Sequence, residues 1–171
     1  METSDPKYKH KPSEKHTLEE VLKSLQDLIR IYLQREKDMT KFAEKYAIQL
    51  NDTHPSLAVA ELMRLLVDEH GMPWDFAWRI TTAVFSYTNH TLLPEALEKW
   101  SVPLMEGLLP RHMQIIYLLN AQHLESLKKA GKTDPKAVAA LSLIEENHTR
   151  QVRMGNLAFL GSRRVNGVSA L

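Results

Sequence analysis

Ala83-Val84-Phe85-Ser86-Tyr87-Thr88-Asn89-His90-Thr91, running on into Leu92-Leu93-Pro94-Glu95-Ala96-Leu97-Glu98-Lys99-Trp100, decides the fold. Ala83 to Tyr87 is a short apolar run of strand type that ends in a cluster of hydrogen-bonding side chains. Pro94 then opens an acidic helix. The same grammar occurs earlier in the chain. Tyr46 to Leu50 is a short apolar run bounded by the turn formers Asn51 and Asp52, and Pro55 takes the first position of a helix capped by His54 or Thr53.

Helices occupy the intervals. Thr17 and Glu20 form a capping box, and Leu18, Val21, Leu22, Leu25, Leu28 and Ile29 recur at helical spacing to about Gln34. Arg35 to Lys45 is a charged connector with room for a helical turn. The helix from Pro55 carries Leu57, Leu62, Met63, Leu65, Leu66 and Val67 and stops at Gly71. Pro73 starts another, expected to bury Trp74, Trp78 and Ile80. Short helices follow from Pro94 and Pro103, a long one spans Pro110 to Lys129 before Gly131, and Pro135 opens a further helical stretch. Leu141 to Ile144 suits a strand, Met154 to Leu160 suits either type, and Val165 precedes an Asn166-Gly167 turn.

Strands joined by helical crossovers make this an α/β chain, helix-rich with short parallel strands. Ligands in such sheets bind beyond the carboxyl ends of the strands. Asn51 to His54, Asn89 to Thr91 and Asn166 to Ser169 each follow a candidate strand, so the three clusters are expected to converge on one cleft. Residues 1–16 read as a polar, disordered tail ahead of one domain over residues 17–171.

Composition narrows the chemistry. Hydrophobic residues make up 43% and charged residues 25%, ordinary for a soluble domain able to bury a core. A net charge of +1 with no basic face argues against nucleic acid as a partner. Cysteine is absent, which removes thiolate and disulfide chemistry. No apolar run reaches the ~20 residues of a membrane span. Met1 to Lys15 lacks the apolar stretch of a secretory signal, so the expected location is cytoplasmic and the three Asn-x-Thr sequons at Asn51, Asn89 and Asn147 are read as chance.

His90 is the sharpest single residue, either a loop histidine bonded to nearby backbone or a hydrogen-bonding group in a cleft. His54 is equally a helix cap, and Asp52 equally the former of an Asx turn. The histidines at 54, 70, 90, 112 and 123 have no metal-ligand spacing, so no metal site is expected. No serine occupies a Gly-x-Ser-x-Gly turn, and Gly161 to Gly167 lacks a phosphate-loop fingerprint. Glu95 and Glu98 share a helical face.

Several longer stretches resemble one family in order and register. They are Ala47 to Pro55, Glu61-Leu62-Met63-Arg64, Tyr87 to Thr91, Leu93 to Glu98, Leu108 to His112, Ile115-Ile116-Tyr117, Ser142 to Glu146 and Val165-Asn166-Gly167-Val168, with Ser24 to Arg30 ahead of them. The chain from about Ser24 to Leu171 is similar to the α-glucan phosphorylases, and specifically to the latter part of their N-terminal domain. The resemblance implies part of a Rossmann-like domain of glycosyltransferase-B type. It also implies a piece of an enzyme that transfers the terminal glucose of an α-1,4-glucan to orthophosphate, giving α-glucose 1-phosphate with retention.

The resemblance assigns residues as well. His90 is the catalytic-position residue, contacting the glucosyl unit with its backbone carbonyl near the developing oxocarbenium charge. Asn89 and Thr91 flank it, Asp52 and His54 line the glucose pocket, Ala96 and Glu98 belong to the wall beside it, and Val168 is a sugar-side contact. The implied cofactor is pyridoxal phosphate, whose lysine and phosphate-binding groups lie in a part of the family enzyme that this chain does not match. The intact enzyme is expected to be a homodimer and the chain inactive alone. A non-catalytic glucan- or partner-binding module and a degenerate gene product are the alternatives. The chain departs from the family at Ser162-Arg163-Arg164, where Ser-His is usual, and residues 1 to about 20 do not resemble it.

Overall fold

A computed structural model of the chain describes residues 12–91, 97–146 and 149–168. Helix α1 (Pro12–Arg35) opens on a proline, whose missing amide hydrogen is one that a first helical turn leaves unused. It therefore runs straight through Thr17, where a cap is expected from the sequence. A 3₁₀ turn at Met39–Lys41, capped by the Asp38 side chain, leads into α2 (Phe42–Lys45). Tyr32, Phe42 and Tyr46 pack edge-on and stacked at 5.1 to 5.7 Å, fastening this corner to α1.

Strand β1 (Ile48–Asn51) is followed by α3 (Ala58–Arg64), which continues as a π-helical segment over Leu65–Glu69 and stops at Gly71, with φ of 62°. The helix begins three residues after Pro55, because residues 54–57 form a turn first. From Ala58 to Met63 every residue of α3 is buried, as suits a helix enclosed on all sides. Helix α4 (Trp74–Val84) buries Ala77, Ile80, Thr81 and Val84. Trp74 and Trp78 stay half-buried instead, and the Trp74 indole donates to Gln122 at 2.9 Å.

Helix α4 passes directly into β2 (Phe85–Asn89), two residues later than the strand expected from Ala83. Next come β3 (Lys99–Ser101), α5 (Val102–Leu108), α6 (Pro110–Lys129) and α7 (Pro135–Leu141). The chain closes with β4 (Ile144–Glu145), β5 (Gln151–Arg153), α8 (Met154–Leu160) and β6 (Arg164–Gly167). Leu141 ends a helix rather than beginning a strand, and Asn166-Gly167 continues a strand rather than turning. Residues 94–96 of the helix expected from Pro94 lie outside the described residues, and Leu97 and Glu98 are not helical. Residues 1–11 of the expected tail also lie outside them, whereas 12–16 are not a disordered tail but the first turn of α1.

The strands form two sheets. The first is parallel, in the order β1-β2-β6, with Asn51 opposite Thr88 and Asn89 opposite Gly167. This is the α/β arrangement with short parallel strands. The second, β3-β5-β4, is antiparallel and small, pairing Trp100 with Val152 and Ile144 with Val152. Leu50, Phe85 and Tyr87 of the parallel sheet join α3 and α8 in one hydrophobic core.

Candidate functional site

Parallel register puts the carboxyl ends of β1, β2 and β6 side by side, so the polar clusters that follow Leu50, Tyr87 and Val165 meet. Asp52 fixes the first of them. Its φ of 62° is left-handed, a region that aspartate tolerates better than most side chains. The turn lets the Asp52 amide donate to the Thr88 carbonyl at 2.9 Å, carrying the strand pairing one residue past β1. The carboxylate then accepts from the Thr53 amide at 3.0 Å and from the Thr91 hydroxyl at 2.9 and 3.1 Å.

The network extends on both sides. The Asn89 side-chain oxygen accepts from the Thr91 amide at 2.9 Å, an Asx turn that folds the chain around His90. The Asn89 carbonyl accepts from the Val168 amide at 3.2 Å. The Thr53 hydroxyl donates to Glu98 at 3.2 Å, and the Gln49 amide donates to the Thr88 hydroxyl at 2.8 Å. Asp52, Asn89, Thr91, Glu98 and Val168 are thereby joined in one hydrogen-bonded set, although they span three strands and the segment after β2.

His90 itself is exposed, held between two residues whose positions the network fixes. Its side chain has no hydrogen-bond partner among the described residues. His54 is also exposed, but it borders a different cavity of roughly 370 Å³ between α1 and β1, shared with Leu25, Leu28 and Gln49. Among the described residues His54 shares no hydrogen bond with the cluster around His90. Ala96 lies outside the described residues.

Thr53 and Tyr87 belong to this region, although the sequence suggests Thr53 only as a helix cap and Tyr87 only as the end of an apolar run. Thr53 is buried, its methyl near Gly155 and its hydroxyl on Glu98. Tyr87 is 4% exposed, and its phenol is pushed up from its ordinary value by burial and by the Asp52 carboxylate. A threonine following an Asx turn and a tyrosine one residue before the polar run were the available signals. Neither identifies a partner, because Glu98 and Gly155 are distant in sequence.

A second polar cluster joins three of the helices. Glu61, 1% exposed on α3, accepts from Arg64 at 2.8 and 2.9 Å and from Gln26 of α1 at 2.8 Å, and pairs with His112 of α6 at 2.6 Å. Burial pushes its carboxyl up, but the hydrogen bonds from Arg64, His112 and Gln26 outweigh burial and hold it at about 2. Three helices are tied through one carboxylate. The sequence motifs containing Glu61 and His112 carried no hint that the two would meet.

Comparison with known proteins follows the same stretch of chain. The carbohydrate phosphorylase family model matches residues 20–171. Glycogen phosphorylase of Synechocystis sp. is 55% identical over 148 residues, covering 86% of this chain and 17% of the relative. Glycogen phosphorylase of Chlamydia trachomatis is 49% identical, covering 85% of this chain and 18% of the relative. The liver form of Ovis aries is 46% identical over 159 residues, covering 88% of this chain and 19% of the relative. The chain thus spans less than a fifth of the length of these relatives.

Proposed function

This chain belongs to the carbohydrate phosphorylase family, and from that membership we propose that it supplies the glucosyl-side loops of an α-1,4-glucan phosphorylase. The reaction is transfer of a terminal glucose to orthophosphate, giving α-glucose 1-phosphate, in a homodimeric cytoplasmic enzyme. The observation that carries this reading is the Asp52–Thr91–Asn89 hydrogen-bond set, which holds both neighbours of His90 at the carboxyl end of the central strand.

A sugar ring needs many directional partners and few ionic anchors, and the cluster offers hydroxyls, amides and two carboxylates. The His90 carbonyl, fixed between Asn89 and Thr91, is suited to face a developing oxocarbenium charge. A dipole already in position costs no reorganisation when that charge appears. Asp52 and Glu98 add negative potential on the same side, and Val168 closes the β6 edge of the site. His54 and Ala96 complete the pocket in this reading, His54 from the α1 side.

The cluster does not fit pyridoxal phosphate. That cofactor needs a lysine and cationic partners for its phosphate. The groups gathered here are carboxylates, amides and hydroxyls, and Lys99 nearby in sequence is engaged by Glu145 at 2.7 Å. No step through the cofactor is assigned to this chain.

The test is titration of maltopentaose into the isotopically labelled chain while amide resonances are followed. Saturable shifts are expected at Asn89, His90, Thr91 and Val168 and should vanish in His90→Ala. Absence of saturation, or the same response in that variant, removes the sugar-site reading.

A further inference from the structure

The Glu98 carboxylate is held from both sheets at once. In the turn after β1, the Thr53 hydroxyl donates to its Oε2 at 3.2 Å. From β3, the Trp100 indole donates to its Oε1 at 2.5 Å. The Glu98 carbonyl accepts from the Met154 amide at 3.1 Å, which fixes its backbone at the start of α8. Through Thr53 the carboxylate is also linked to the turn that bears His90, because the Thr53 amide donates to Asp52 and Asp52 accepts from Thr91.

The two donors are not equivalent. A threonine hydroxyl rotates and can accept as well as donate, whereas an indole N–H only donates and moves only with its ring. The Trp100 ring is 3% exposed, belongs to the hydrophobic core, and stands on a strand position paired with Val152. Its N–H is therefore a fixed donor aimed at one oxygen of Glu98. With the buried Thr53 on the other oxygen, the plane of the carboxylate is set before any ligand arrives.

We propose that Trp100 is a positioning residue of the site: its indole N–H orients the Glu98 carboxylate, which accepts from a hydroxyl of the bound sugar. Trp100 acts through Glu98 rather than by touching the sugar. A long, flexible glutamate side chain loses rotamer freedom when it binds, and a fixed donor removes that cost beforehand. An acceptor already oriented also needs no reorganisation as charge develops nearby. This role rests on the glucosyl-site reading proposed above, and it adds a residue of the second sheet to that site.

Trp100→Phe keeps a buried ring and removes the donor. Benzothienylalanine at position 100, with sulfur in place of the N–H, keeps the full ring system and serves if the phenylalanine variant does not fold. Two quantities are read in the labelled chain: carbon relaxation of the Glu98 γ-methylene and affinity for maltopentaose. Either change should increase the fast motion of that methylene and weaken maltopentaose about fivefold, the equivalent of one neutral hydrogen bond. In a Glu98→Ala background the same change should leave affinity unaltered, which a packing role for Trp100 would not do. Unchanged motion at Glu98, unchanged affinity, or an equal loss of affinity with and without Glu98 overturns the positioning role and leaves the sugar site standing. Absence of saturable binding by the unchanged chain removes the sugar reading and this role with it.

Discussion

The Thr91 hydroxyl sits 2.9 and 3.1 Å from the two carboxylate oxygens of Asp52, 39 residues earlier in the chain. One contact thereby ties the segment after β2 to the turn after β1, and His90 is carried on the tied segment. Replacing the hydroxyl by a methyl tests how far this tie orders the loop. Thr91→Val should lower stability by about 1.5–3 kcal/mol, the range for a hydrogen bond to a charged group, and should speed amide exchange at His90. Thr91→Ser should restore both. Unaltered exchange at His90 in Thr91→Val means the loop is ordered by something else.

Asp52 combines a strained backbone with a useful side chain, and the two are separable. Asp52→Asn keeps a residue that tolerates φ of 62° and an oxygen for Thr91, so it should cost well under ~1 kcal/mol. Asp52→Ala loses the side chain and pays the left-handed penalty of about 1–2 kcal/mol as well. Urea unfolding of the two variants distinguishes them, and equal midpoints contradict this account.

Glu61 anchors α1, α3 and α6 together. Glu61→Ala leaves the buried His112 and the half-buried Arg64 around a missing carboxylate and should destabilise the chain by about 3–5 kcal/mol. Glu61→Leu with His112→Phe removes the carboxylate together with its buried imidazole partner and should recover part of that loss. Calorimetric unfolding is the measurement; a single-variant loss below ~1 kcal/mol speaks against the anchor.

The same carboxyl predicts an acid limb. Its folded pKa of about 2 lies below the ordinary 4.5, so the stability it contributes is complete above 4.5. That stability is lost as pH falls from 4.5 through about 2, because the unfolded chain takes up the proton first. The urea midpoint should therefore decline over this window, and Glu61→Gln should flatten the decline. A decline of the same size in Glu61→Gln assigns the limb to other carboxylates, of which Asp68 beside Arg111 is one also held low.

Gly161 closes α8 against α3 with no space for a side chain. A Cβ there would stand 2.5 and 2.6 Å from the two methyl carbons of Val59 and 3.1 Å from its Cβ. Valine cannot swing away, since its χ1 is confined. Gly161→Ala should cost about 1–3 kcal/mol, and adding Val59→Ala should make the pair less than additive. Strict additivity would show that the two residues do not touch.

A chain that spans 17% of the Synechocystis relative should release no glucose 1-phosphate from glycogen and orthophosphate by itself. A coupled assay reads this directly. Sustained release by the purified chain would mean that the chemistry does not require the rest of the relatives' length.

The sequence by itself determined the elements whose signals are local. Proline and glycine punctuation marked α6 at both ends, and short apolar runs closed by Asx residues marked β1 and β2. Helical crossovers between such runs implied a parallel sheet, and the polar clusters at Asn51, Asn89 and Asn166 followed from it. Only the tertiary structure decided what depends on pairing across the chain. Strands β3, β4 and β5 are two or three residues long, too short to show alternation, and exist because Trp100 and Ile144 both find Val152. The Thr91–Asp52 tie and the Glu61–His112 pair are likewise relations between distant residues. A one-dimensional pattern records what each residue prefers, whereas hydrogen bonds and burial are settled by which neighbours folding brings within about 3 Å.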